Sequence, residues 1–88
     1  MARSRIAARL ARKWRVAPQA QVRAIVRTVA DVDEVATILE QRNLKVIHRY
    51  RLLPALTVSG AAEDVLALAD EDWISGIEED LDVHTMPD

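Results

Sequence analysis

Hydrophobic positions recur along the chain with two different periods, and the changes of period mark out its elements. Val22, Ala24 and Val26 alternate with Arg23, Ile25 and Arg27, the two-residue repeat of a strand with one core face and one wet face, so a strand is predicted over Val22–Val29. Asp31 then stands as a helix N-cap, with Glu34 three residues on completing a capping-box pair. Val32, Val35, Ile38 and Leu39 fall on one helical face, and Asn43 is a natural stop because Asn tolerates the left-handed conformation. Leu44–Tyr50 reads as a second strand, Pro54 as part of a turn, and Ala55–Val58 as a short third strand. Ser59 is the expected N-cap of a second helix over Ala61–Ala69. In that helix Val65, Leu66 and Leu68 turn inward, and Glu63 and Asp64 complement the positive end of the dipole. Ile74–Glu79 is the fourth strand, and residues 81–88 form an extended tail.

The order is β-α-β-β-α-β. With right-handed crossovers it predicts an α+β, ferredoxin-like domain: a four-stranded antiparallel sheet with two helices on one face and the other face open. The layout is a basic N-terminal tail or helix over residues 1–20, a folded domain over 21–80 and a C-terminal tail over 81–88. Within the first segment Ile6, Leu10 and Trp14 recur every four residues amid Arg3, Arg5, Arg9, Arg12 and Lys13. Two readings stand there. One is a solvated tail or nascent helix. The other is a helix within residues 1–16 that contacts a membrane surface, nucleic acid or another partner. Ala17–Gln21 reads as a linker, since Pro18 disfavours continuing a helix.

Composition narrows this picture. At 88 residues, half of them hydrophobic, the chain can build one core, and with Trp14, Tyr50 and Trp73 as its only aromatics that core is aliphatic. The lack of cysteine excludes disulfides and thiolate metal sites. No apolar run approaches the roughly 18–20 residues of a membrane span. Arg9, Arg12, Lys13 and Arg15 interrupt the stretch a secretory signal would need, so as written the chain reads as cytoplasmic, or as extracellular if excised from a secreted precursor. The net charge of −2 hides a lopsided distribution: residues 1–28 hold eight basic side chains and no acid, residues 60–88 ten acids and no Lys or Arg. The two ends either attract each other or face different partners.

No constellation for catalysis stands out. His48 and His84 are the only histidines, and Ser4, Ser59 and Ser75 lack the glycines of a nucleophile elbow, so an enzyme is not expected. The acids from Asp70 to Asp82 lack the glycine-centred loop of a calcium hand and read as a solvated or partner-facing edge. Gly60 and Gly76 are the only glycines, too few to cradle a phosphate, and no cofactor or metal is expected. The first and third strands carry no aromatics on which bases could stack, which argues against nucleic acid on the sheet.

Ile77-Glu78-Glu79-Asp80, followed by a short extended tail containing His84, matches a Val/Ile-Glu-x-Asp run at the end of a small domain. Upstream lie Lys45-Val46-Ile47-His48-Arg49-Tyr50, a short strand, Ser59, a helix and an acidic stretch. On these features residues 22–86, about three-quarters of the chain, resemble the subtilisin propeptides and the protease inhibitors related to them. The resemblance implies a protein that binds a subtilisin-like serine protease as inhibitor or folding chaperone. It implies that Glu78 and Asp80, on the open sheet face, meet the N-termini of two surface helices of the enzyme. It places Val83, His84, Thr85 and Met86 in the substrate cleft, with Met86 just before the scissile position and Val83 in an apolar pocket. Pro87 would then follow that position and slow cleavage, because proline lacks an N–H and is conformationally restricted. Asp72-Trp73 stands where such proteins often have proline, and the basic start lies outside the resemblance. The alternative is a non-inhibitory adaptor module, or the N-terminal domain of a larger protein, working through Ile6, Leu10 and Trp14.

Overall fold

The computed structural model describes residues 5–50 and 52–80. They form three helices and a four-stranded sheet, in the order α1 (Ala8–Val16), β1 (Gln21–Thr28), α2 (Val32–Gln41), β2 (Lys45–Arg49), β3 (Ala55–Ala61), α3 (Ala62–Ala67), a 3₁₀ turn (Leu68–Asp70) and β4 (Ile74–Glu79). The sheet is antiparallel throughout, with strand order β2-β3-β1-β4. This α+β arrangement is compatible with a ferredoxin-like fold.

Local chemistry explains most boundaries. The Asp31 carboxylate accepts from the Glu34 N–H at 3.1 Å and caps α2. Beyond the C-terminus of α2, Asn43 adopts φ 68°, the left-handed conformation that ends a helix at little cost for Asn. At the end of β1 the Thr28 hydroxyl donates to the Trp73 carbonyl at 2.7 Å and accepts from the Ala30 N–H at 3.0 Å, so Val29 falls outside the strand. Leu44 and Tyr50 flank β2 and lie outside it.

The expected start of the second helix is corrected. Ser59 lies inside β3, which runs to Ala61, and the N-cap of α3 is Ala61, which makes no side-chain cap. The cause is the partner strand: β1 pairs continuously from Gln21↔Ala61 to Arg27↔Ala55, and this ladder satisfies backbone that a serine cap would have left in a turn. The first N–H groups of α3 are satisfied by main chain instead. Ala62 donates to the Ala20 carbonyl at 2.9 Å and Glu63 to the Pro18 carbonyl at 2.8 Å. The segment that reads as a linker is thus the cap of α3.

The larger departure is at the N-terminus. The Ile6, Leu10, Trp14 stripe belongs to an integral element and packs inward. Ile6 and Trp14 are buried, Leu10 is half-buried, and Ala11 joins them in the same apolar cluster as Val26, Val65 and Ile77. Trp14 is 1% exposed and heads the fully buried side chains by size. The Arg5 carbonyl accepts from the Ile77 N–H at 2.8 Å, and Ile6 bridges Ile77 in parallel along the outer edge of β4. An α-helical third member therefore joins the helix layer, packed against α3. With few aromatics available, the core needs the area that Trp14 supplies.

Candidate functional site

Strand alternation sorts the sheet into two faces. Ala24, Val26 and Thr28 of β1, Leu56 and Val58 of β3, and Ile74 and Ile77 of β4 are buried against the helix layer. Their neighbours point the other way, and cross-strand pairing arranges them in rows. One row is Lys45, Ser59 and Arg23, ending on Asp80, whose N–H donates to the Arg23 carbonyl at 3.0 Å. The next is His48, Thr57, Ile25 and Glu78. The third runs from Tyr50, whose N–H donates to the Ala55 carbonyl, through Ala55 and Arg27 to Gly76.

The centre of this open face is small and its margins are large. Ala55 and Thr57 are 1% and 3% exposed although no helix of the described residues covers them. Tyr50 folds over them, with its hydroxyl 3.1 Å from Thr57 Oγ1, and His48 packs edge-on to the Tyr50 ring at 4.7 Å. The β2 side thus offers an aromatic ridge, Ile25 lies half-buried in the middle, and the β4 side carries the carboxylates.

Glu78 and Asp80 lie on the open face, where the alternation of β4 puts them. Each has an arginine of β1 as partner: Glu78 Oε2 lies 3.0 Å from Arg27 Nη2, and Asp80 Oδ2 lies 3.4 Å from Arg23 Nη2. Between them Glu79 turns to the helix side and meets Lys13 of α1 at 3.1 Å. The lopsided charge of the sequence is therefore matched within the fold, because β1 and α1 both lie alongside β4. At the far end of the sheet Glu71 pairs with Arg42 at 2.9 Å, and the Arg42 guanidinium lies 5.7 Å from the centre of the Trp73 ring. Trp73 at the unusual Asp72-Trp73 position is thereby half-buried against the core. Val83, His84, Thr85 and Met86 lie outside the described residues.

Arg23 and Arg27 are the site residues that the sequence pattern leaves unassigned. It places them on a wet face without partners. The available signal is the Arg-x-Ile-x-Arg spacing on β1, combined with a topology that sets β1 beside the acidic last strand. No protein-family model matches the chain, and no curated protein does. Among the described residues no cluster of three or more His, Asp or Glu is arranged to hold a metal ion.

Proposed function

We propose that this chain binds a subtilisin-like serine protease, inhibiting it and assisting its folding, with the open sheet face against the enzyme and the tail in its substrate cleft. The observation that carries the proposal is the placement of Glu78 and Asp80. Both sit at the end of the last strand, on the face away from the helices, immediately before the segment that would enter the cleft. A carboxylate at a helix N-terminus accepts orphan N–H groups and complements the dipole, contributing about 0.3–2 kcal/mol. The tail, Val83–Met86 included, would add to the enzyme as an extended strand. Ile25 in the middle of the same face and the Tyr50–His48 ridge across it, on the β2 side, provide apolar area beside these polar contacts. Chaperoning follows from the same surface, since a ligand that binds only the folded protease stabilises it by mass action.

The adaptor alternative relied on Ile6, Leu10 and Trp14 as a contact surface. Ile6 and Trp14 are enclosed in the protein's own core, so that surface is not offered to a partner by the folded chain.

The test is a titration of the chain against a broad-specificity subtilisin, following peptide hydrolysis, beside a copy ending at Asp80. Tight inhibition by the full chain, lost in the shorter copy, is the expected result. A folded full chain that leaves hydrolysis unchanged at micromolar concentration would reject the proposal.

A further inference from the structure

Resting on the protease-binding reading, we propose that Arg23 and Arg27 select the partner: the chain fits a protease that carries carboxylates beside the helix N-termini on which Glu78 and Asp80 dock. The open face is not simply acidic. Arg23, Arg27 and Lys45 share it with Glu78 and Asp80, so basic side chains outnumber acidic ones there. In the free protein each docking carboxylate is held by one arginine, at 3.0 Å for Glu78–Arg27 and 3.4 Å for Asp80–Arg23. These are half-exposed pairs, so exchanging partners is cheap while water is present.

Docking changes that balance. When Glu78 and Asp80 turn to helix N-termini, the two guanidinium groups lose their acceptors at the moment the surface is dehydrated. An arginine buried without an acceptor opposes binding, whereas one that meets a new carboxylate restores the pair. The partner must therefore present two features together: N–H groups for the acids and carboxylates for the arginines. Their spacing follows from the strands. The two acids lie two residues apart at the C-terminal end of β4 and just beyond it, about 7 Å, and the two arginines four residues apart on β1, about 13 Å. A protease with neutral or basic side chains around the docking helices is rejected by the same arginines, since like charges and unpaired cations both count against the wrong partner.

The experiment is a charge cycle on both proteins. One component is a subtilisin-like protease with carboxylates beside its two docking helices, used also with those carboxylates changed to amides. The other is the full chain, as it is and as the Arg23→Gln/Arg27→Gln variant, each checked for folding by circular dichroism. On the acidic enzyme the variant should inhibit about tenfold more weakly, mainly through slower association at low salt. On the amide enzyme it should inhibit as well as the parent chain or better. If the ratio between variant and parent is the same on both enzymes, the selection by arginine is overturned while the protease reading stands. If the folded parent chain inhibits neither enzyme, both fall together.

Discussion

Gly60 and Gly76 lie on opposite faces of the sheet and are needed to different degrees. Gly60 faces the helix layer, where an added Cβ would come within 2.6 Å of Leu44 Cδ2 and 3.3 Å of the Asn43 carbonyl. Leu44 is buried and has little room to yield. Gly60→Ala should therefore cost about 1–3 kcal/mol in urea unfolding, the range for overpacking a core. Gly76 is on the open face, and its added Cβ would make ordinary contact with Arg27 Cδ at 3.8 Å. Gly76→Ala should stay within about 0.5 kcal/mol of the parent. Equal effects at the two positions would contradict the assignment of faces. Asp31 and Asn43 belong to the same scale: their side-chain chemistry acts on backbone a few residues away at most, so sequence alone located both.

At the scale of elements, α1 is where sequence and structure part most clearly. Its apolar stripe was legible, but a stripe does not say what it faces. The structure turns Trp14 and Ala11 inward and leaves Arg9, Arg12, Lys13 and Arg15 outside. Trp14→Ala should cost about 3–5 kcal/mol, a large part of the roughly 5–15 kcal/mol that stabilises a small domain. Arg12→Ala, on the outer arc, should change stability by about 0.5 kcal/mol or less. Thermal unfolding of both variants checks this, and a solvated tail would leave both unchanged. The extension of β3 to Ala61 has a similar origin. Ser59 is a good cap in isolation, yet the ladder to β1 offers its backbone a better arrangement, and carbonyls from residues 18 and 20 take over the capping.

For the molecule as a whole, the fold gathers charges that the sequence keeps far apart. Lys13, Arg23 and Arg27 come from the basic first third, and Glu79, Asp80 and Glu78 from the acidic last third. Exposed pairs of this kind contribute about 0–1 kcal/mol each, so they matter less for stability than for how they order side chains on the open face. The proposed function also makes a statement about lifetime. With Met86 before the scissile position and Pro87 after it, the tail should be cut slowly. Pro87→Ala should accelerate cleavage after Met86 by a subtilisin, followed by mass spectrometry of the products. Unchanged cleavage would show that Pro87 does not slow cutting of the tail.

The sequence by itself determined the α+β class, the order of the four strands and of α2 and α3, the cap at Asp31 and the left-handed stop at Asn43. All of these follow from side-chain period or from interactions within a few residues, which leave a local trace. Only the tertiary structure decided that Ile6 and Trp14 complete the core, that Pro18 and Ala20 cap α3, and that Arg23 and Arg27 pair with Asp80 and Glu78. Those pairings join residues 42 to 71 positions apart. Hydrophobic burial and charge pairing at that separation depend on which surfaces the sheet brings together, and the periodicity of one segment carries no record of its distant neighbour.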